Sequence, residues 1–317
     1  MTQTLPAPSL PDWPLYGLTD DQRPALRALR DAGEPAVLAT IVALGGGGPR
    51  PVGAQMVFGC DFVSGFLSGG CVEGDVALHA AACLADGAPR RLVYGEGSPW
   101  PDIRLLCGAR IEIELQRLSP DDAEVGAVLA AMDARHPADF TTLGGLVLNH
   151  QPVWKLIVIG ADPTALATAT LGAQSGFETT LIRPRGPIAC PLANVAYSRA
   201  EPAAAFAAIG LDAWTAVAIC GHDMDIDHSA LVLALPSAAP YVGLLGARRR
   251  LAERLDRLRV SGVTEAQMQR LRAPIGLDLG GKAPWEIAVA ILGEIQIARF
   301  DGLAARTAPR QTEEVLR

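Results

Sequence analysis

The residues best suited to chemistry lie in a glycine-rich segment, residues 45–75, that leads to Cys71. Cys71 stands where an apolar run gives way to a predicted helix, and the amides and dipole of a helix N-terminus stabilise a thiolate. A thiolate suits a soft metal centre or sulfur chemistry. The neighbours expected to contact a ligand are Ser68, Gly69, Gly70 and Glu73. A structural role for Cys71 stays open, because free cysteine also packs well as a small residue.

A second candidate is the glycine run that precedes Arg50. Backbone amides at Gly47 and Gly48, together with the planar guanidinium of Arg50, could cradle anionic oxygens such as those of phosphate. The alternative is a flexible loop whose arginine is solvated.

A third candidate lies where an apolar strand, residues 154–160, ends at Gly160. Dinucleotide-binding Rossmann domains carry the pattern G-x-G-x-x-G here, but Asp162 takes the place of the second glycine, and its carboxylate would repel phosphate. About twenty residues further on, Arg183 stands where NAD enzymes place an acidic residue on the ribose. The pattern argues against ordinary NAD binding and favours a phosphate contact by Arg183.

A dense polar cluster follows the predicted strand at residues 214–220. Its members are His222, Asp223, Asp225, Asp227 and His228. Two imidazoles and three carboxylates could bind a divalent metal. The favoured interpretation is that Asp227 caps the next helix, while His222 and Asp223 line a cleft at the carboxyl end of the sheet.

Near the C-terminal side, Gly246 leads from a strand into a predicted helix at residues 249–260. Arg248 and Arg249 lie at its start, where an anion would meet free amides and the helix dipole. Arg254, Arg257 and Arg259 are interpreted as a solvated face.

Composition narrows the classes of function. The 317 residues carry a formal net charge of -7, which argues against a general nucleic-acid-binding surface. No apolar run approaches the roughly 18 residues that span a bilayer, so we expect a cytoplasmic protein with no membrane contact. The six cysteines form no C-x-x-C pair, so free thiols are expected.

The elements that position these residues indicate an α/β chain of two domains. A small mixed α+β domain with a mixed sheet precedes a Rossmann-like, doubly wound parallel sheet, because strands and helices alternate after residue 153. The predicted segments are a flexible leader at 1–19, a glycine-rich domain at 20–118, a linker region at 119–152, the Rossmann-like domain at 153–306 and a flexible tail at 307–317.

Three blocks together resemble one family. They are GPRPVGAQMVF with SGFLSGGCVEGD, then YVGLLGARRR, then APIGLDLGGKAPWEIAVAILGEI. In this order they resemble the XdhC/CoxI family, accessory proteins of molybdenum hydroxylases. Cys107 with Gly108 also resembles a family cysteine-glycine turn. The chain departs from the family pattern at Gly46 and Gly47, which replace two serines, and at Gly221, which replaces a threonine.

The resemblance implies a chaperone that holds the molybdenum cofactor, as molybdopterin or its cytosine dinucleotide form, and delivers it to an apo-hydroxylase of the xanthine dehydrogenase or aldehyde oxidoreductase type. It also implies a homodimer and contact with a cysteine desulfurase that supplies sulfur. The cargo would use Cys71, as a contact to molybdenum, and arginines of both domains. Two alternatives stay open: an NADP-linked oxidoreductase with Arg183 on the 2′-phosphate, and a scaffold that binds no cofactor.

Overall fold

The computed structural model describes residues 10–48, 50–98, 105, 108, 110–246 and 250–306. The chain forms two compact units that divide between Pro152 and Val153. None of the described helices is both long and apolar enough to cross a membrane.

The first unit is an α+β domain. After a turn of 3-10 helix at Leu15–Leu18, its elements are α1 (Arg23–Asp31), β1 (Ala36–Gly45), β2 (Gln55–Phe58), β3 (Val63–Gly65), α2 (Glu73–Asp86), β4 (Arg90–Tyr94), β5 (Arg110–Leu118), α3 (Ala123–Asp133), β6 (Ala138–Thr141) and β7 (Val147–His150). The strands β3-β2-β1-β5-β4 form one sheet in that order, and β6 pairs with β7. All of these pairs are antiparallel, so the expectation of a mixed sheet is wrong.

The central strand β1 explains the layers of this unit. Its residues alternate between two faces, as the two-residue period of a strand requires. Val37 and Ile41 pack with α2 on one face, whereas Leu38 packs with α1 and α3 on the other. Both faces are covered, so the apolar run of β1 is buried along most of its length. The glycine-rich loop before α2 follows the edge strand β3, which pairs with β2 beside β1.

The second unit is a parallel α/β domain. Its elements are β8 (Lys155–Ile159), α4 (Pro163–Gln174), β9 (Glu178–Ile182), β10 (Ala196–Ser198), α5 (Pro202–Ile209), β11 (Thr215–Ile219), α6 (Met224–Ala234), β12 (Tyr241–Leu244), α7 (Leu251–Val260), α8 (Glu265–Met268), β13 (Leu271–Arg272) and α9 (Pro284–Arg306). The sheet order is β10-β9-β8-β11-β12-β13, and every pair is parallel. In order of appearance this is 3-2-1-4-5-6, the doubly wound order of Rossmann domains. The predicted fold class is confirmed.

Helices cover both faces of this sheet. Ile157 and Val217 face α5, α6 and α7, whereas Leu156 and Ala216 face α4 and α9. Strands buried on both faces have continuous apolar sequences, and β8 and β11 show this pattern. The strand order reverses between β8 and β11, which is where such sheets bind ligands at their carboxyl ends.

Candidate functional site

The loop that carries Cys71 is folded around the carboxylate of Glu73. Glu73 Oε1 accepts hydrogen bonds from the amides of Leu67 (3.0 Å) and Ser68 (2.6 Å). Its Oε2 accepts from Ser68 Oγ (2.6 Å) and from the Gly70 amide (2.9 Å). Glu73 is 1% exposed, so its oxygens serve the loop and leave no carboxylate for a ligand. The expectation that Glu73 contacts a cofactor is corrected: it holds the loop in shape.

Ser68 completes this internal network. Its Oγ accepts hydrogen bonds from the amides of Cys71 and Val72, both at 3.0 Å. Gly69 and Gly70 have φ values of 104° and 93°, a region that side chains rarely adopt, so the turn needs glycine at both positions. The amides of this turn are thus mostly bonded within it, and its exposed atoms are those of Gly69, Gly70 and Cys71.

The electrostatics of Glu73 reflect this environment. Burial alone would raise the pKa of the carboxyl group. The hydrogen bonds from Ser68 Oγ and from the backbone amides outweigh the burial and hold its pKa below the ordinary 4.5. The carboxylate is therefore ionised at neutral pH and binds the turn as a charged acceptor.

Cys71 is exposed in the turn directly before α2. Its backbone amide is fixed by the hydrogen bond to Ser68 Oγ, and the residue itself is exposed. Cys60 is exposed as well, whereas Cys83 is buried in the core. Position and exposure thus fit Cys71 for contact with a ligand, and Cys60 provides a matched exposed thiol outside the turn.

The predicted anion cradle of the first unit is already partly satisfied. The guanidinium of Arg50 pairs with the carboxylate of Asp20 through Nη2. A Cβ at Gly48 would lie 3.0 Å from the Leu44 side chain, whereas one at Gly47 would meet nothing within 4 Å. An anion at this loop would compete with Asp20 for Arg50.

Three of the predicted contacts lie outside the described residues. They are Cys107, Arg248 and Arg249. Gly246 is exposed after β12, with nothing near the position of a Cβ.

The second unit has a cavity of about 290 Å³ at the carboxyl end of the sheet. It lies where the chain leaves β8, β9 and β11, at the reversal of strand order. Its lining residues are Ile159, Gly160, Ala161, Asp162, Arg183, Pro184, Gly221, His222, Asp223, Ile226 and Asp227. Four predicted contacts, Gly160, Arg183, His222 and Asp223, are therefore brought together here. Their binding roles stay predictions.

Two glycines shape the floor of this cavity. A Cβ at Gly160 would lie 2.8 Å from the carbonyl oxygen of Cys220, so β8 and β11 approach closely only without a side chain there. A Cβ at Gly221 would collide with Oδ1 of Asp227. Because Gly221 has no side chain, Oδ1 of Asp227 can occupy this space.

Carboxylates cap both helices that begin at the cavity. Asp162 accepts a hydrogen bond from the Ala165 amide (2.9 Å) at the start of α4. Asp223 accepts from the amides of Asp225 (3.0 Å) and Ile226 (3.2 Å) at the start of α6. The expectation that Asp227 caps α6 is wrong, because the helix begins at Met224 and Asp223 precedes it. Both helix N-termini thus already hold an anionic group.

Each carboxylate at the cavity also has a basic partner. His222 Nε2 lies 3.1 Å from Asp162 Oδ2, and Arg185 Nη2 lies 3.2 Å from Asp223 Oδ2. Arg254 is 8% exposed and its Nη1 lies 3.0 Å from Asp227 Oδ2. The expectation that Arg254 belongs to a solvated face is therefore wrong.

Arg183 differs from the other basic groups of this region. Its guanidinium has no ion pair or hydrogen bond with any residue that the structure describes, although the residue lines the cavity. The arginine is half-buried at the end of β9. An anionic group in the cavity would meet a cation that has no carboxylate partner in the described part of the chain.

Asp227 is buried with one oxygen unused. It is 0% exposed, and Oδ1 has no hydrogen-bond partner within the described parts of the chain. Burial raises the pKa of Asp227, and the Arg254 guanidinium only partly offsets that effect. A buried acceptor without a hydrogen bond costs free energy, and a donor placed beside it removes that cost. Asp227 Oδ1 is therefore an available acceptor beside the cavity.

The polar cluster after β11 does not converge on a metal. His228 Nε2 lies 2.9 Å from Ser261 Oγ, and Asp225 pairs with Arg257 at 2.9 Å. These contacts are separate from those of the cavity-lining pair His222 and Asp223. In the described residues, no group of three or more histidine, cysteine or acidic side chains could hold a metal ion.

Glu294 has a role that the sequence does not reveal. Glu294 Oε2 accepts hydrogen bonds from Tyr241 Oη (2.6 Å) and from the Gly276 amide (2.8 Å). It fixes the loop before α9 to β12. Its partners are far away in sequence, so no local pattern could identify them.

Comparison with known proteins gives consistent results along the chain. Residues 156–295 match the model of the XdhC Rossmann domain, and residues 29–95 match that of the XdhC and CoxI family. The molybdenum cofactor insertion chaperone PaoD of Escherichia coli (strain K12) is 32% identical over 306 residues, which cover 89% of this chain and 90% of PaoD. A probable xanthine dehydrogenase subunit of Bacillus subtilis (strain 168) is 26% identical, with 85% of this chain and 95% of that protein covered.

A solved structure supports the fold. The crystal structure of a xanthine dehydrogenase from Bacillus halodurans matches with a TM-score of 0.70 and 21% sequence identity. The match covers 93% of this chain and 98% of that chain. At this identity the likeness concerns the fold alone.

Proposed function

Since the chain belongs to the XdhC and CoxI family, we propose that it is a molybdenum cofactor insertion chaperone. The observation that carries the proposal is the 32% identity to PaoD across nearly the full length of both chains. The cargo is the molybdenum cofactor, and the recipient is a hydroxylase of the xanthine dehydrogenase or aldehyde oxidoreductase type.

The turn before α2 supports a role in holding the cargo. Glu73 and Ser68 bond the backbone of the turn internally, so Cys71 is presented at the surface on a fixed frame. A soft thiolate is a suitable ligand for a metal with sulfur in its coordination sphere. Cys71 would contact molybdenum or guard its sulfido ligand, while binding energy keeps the cargo on the chaperone until the hydroxylase takes it.

Transfer to an apo-hydroxylase is the direct test. The purified protein is loaded with molybdenum cofactor, and the activity gained by the apo-hydroxylase is compared with that gained from free cofactor. We expect faster activation by the loaded chaperone, and weaker cofactor binding in Cys71→Ser but not in Cys60→Ser. Equal activation by free and loaded cofactor, with no binding by titration calorimetry, would refute the proposal.

A scaffold that binds no cofactor is the alternative to be excluded. Its test is the double variant Cys71→Ala with Arg50→Ala in the same transfer assay. Intact maturation of the hydroxylase by this variant, together with an absence of cofactor binding by the unaltered protein, would favour the scaffold.

Finer features of the proposal come from the family resemblance. We include in it the cytosine dinucleotide form of the cofactor as a second cargo, contact with a cysteine desulfurase, a homodimer and a cytoplasmic location. Titration with each cofactor form, pull-down of the desulfurase, sedimentation analysis and cell fractionation test these features one at a time.

A further inference from the structure

The cavity at the carboxyl end of the second sheet has two unused polar groups of opposite character. Asp227 Oδ1, fully buried, lacks a hydrogen-bond donor, and the guanidinium of Arg183 lacks an acceptor among the described residues. Apolar side chains, Ile159, Pro184 and Ile226, supply walls around the same space. A ligand that satisfies both groups must carry an N–H or O–H donor, an anion and an apolar or flat portion.

The usual places for phosphate in a Rossmann domain are closed here. Asp162 occupies the N-terminus of α4 and Asp223 that of α6, each accepting backbone amides that would otherwise bind an anion. Both carboxylates repel phosphate at those positions. Among the described residues that line the cavity, Arg183 at the end of β9 is the arginine that remains to hold an anionic group, and the anion is displaced toward that strand.

The deep end of the cavity is built to accept a hydrogen bond. Asp227 Oδ2 is engaged by Arg254, which fixes the carboxylate in place, and Oδ1 lies against Gly221, where any larger residue would collide with it. The floor at Gly160 is likewise closed to a side chain. These features keep a fixed acceptor free, as recognition of a specific donor requires.

We infer that this cavity is a binding site for a nucleoside phosphate, with the phosphate on Arg183 and an N–H or O–H group of the nucleoside on Asp227 Oδ1. The volume, about 290 Å³, lies just below the range for small-molecule pockets, about 300 to 1,000 Å³. It suits one nucleotide or one half of a dinucleotide. The ligand has two possible sources with the same chemistry, a free nucleotide and the nucleotide end of a dinucleotide cargo. The inference deepens the proposed function, and it rests on that function only for the second source.

Titration calorimetry with the full-length protein tests the site without molybdenum. The probes are CMP, AMP and NADP⁺, with cytidine and inorganic phosphate as partial ligands. We expect Arg183→Gln to weaken nucleoside phosphate binding about tenfold or more, the effect of a lost charge-assisted hydrogen bond, and to leave cytidine binding unchanged. Asp227→Asn should weaken the nucleotide and the nucleoside alike by a similar factor.

Arg257→Gln is the matched control, because it removes the same charge from an arginine that pairs with Asp225 outside the cavity. Thermal unfolding checks that Asp227→Asn is folded, and Arg183 is a half-buried side chain whose replacement leaves the core intact. A preference for CMP would identify the nucleotide end of a dinucleotide cargo as the source of the ligand. A preference for AMP or NADP⁺ would identify a free nucleotide as the source.

The inference is overturned if none of the nucleotides binds, or if Arg183→Gln and Arg257→Gln have equal effects. Unchanged binding in a folded Asp227→Asn overturns the role of the acceptor. Transfer of cofactor to the hydroxylase is measured separately through Cys71, so failure of the nucleotide site and failure of the chaperone function give different results.

Discussion

Replacing Glu73 by glutamine tests how the turn before α2 is built. The variant keeps the shape of the side chain and removes its charge. If the amide oxygen takes the place of Oε1, it still accepts from Leu67 and Ser68. The NH₂ group then faces the Gly70 amide, which is also a donor, and the Ser68 hydroxyl, whose oxygen already accepts two amides.

The magnitude follows from these contacts. The Gly70 amide is partly exposed, so the loss of its hydrogen bond costs about 1 kcal/mol, and each of the two remaining bonds loses about 1 kcal/mol when its acceptor is neutral. We therefore expect Glu73→Gln to lower the free energy of unfolding of the first unit by about 3 kcal/mol at neutral pH.

The pH dependence has a definite sign. The pKa of Glu73 is held below its ordinary 4.5 in the folded protein, so the folded state favours the ionised group. Its contribution to stability is complete above pH 4.5 and is lost as the pH falls through the folded pKa. The difference between the unaltered protein and Glu73→Gln should therefore shrink in acid.

Urea denaturation at neutral and acid pH measures the stability, and hydrogen exchange by mass spectrometry measures the opening of residues 66–75. Glu34→Gln is the control, because Glu34 is an exposed carboxylate in the turn between α1 and β1. We expect faster exchange of that peptide in Glu73→Gln only. Equal losses in the two variants, or a difference that does not depend on pH, would refute the account of the turn.

Three further predictions concern other contacts. Alkylation of the native protein should label Cys71 rapidly and Cys220 only on unfolding, because Cys220 is fully buried and burial raises its pKa to about 12; peptide mass mapping distinguishes them. Asp162→Ala should destabilise the protein by about 1 kcal/mol through loss of the α4 cap, and Asp162→Asn by less, as urea denaturation would show. Arg254→Met leaves the Asp227 carboxylate buried without a counter-ion and should cost about 3–5 kcal/mol in the same assay, whereas an unchanged midpoint would contradict a buried ion pair.

The elements that the sequence predicts well are those with strong local signals. The apolar run of β8 is bounded by Gly160, and α9 begins at Pro284, whose missing amide donor suits the first helical position. Alternation of such strands with helices is enough to predict the parallel sheet. The sequence predicts the strand directions in the first sheet less well, because an apolar run such as β1 does not show whether its partner strands are parallel or antiparallel.

The contacts that the sequence misses depend on distant partners. Arg254 meets Asp227 across 27 positions, and Glu294 meets Tyr241 across 53, so each has the local pattern of a surface charge. Glu73 is different, since all its partners lie within six residues. An acidic residue shortly after a serine and two glycines is the signal that could have identified it as the centre of the turn.

Asp162 shows why the site departs from an ordinary dinucleotide pocket while the fold does not. The fold depends on apolar strands, on close approach at Gly160 and on a capped helix, and an aspartate supplies the cap as well as any residue. Phosphate binding depends on the amides that the same aspartate consumes. An aspartate at this position therefore preserves the sheet and closes the usual phosphate position, and Arg183 is the arginine among the described lining residues of the cavity that is left for an anion.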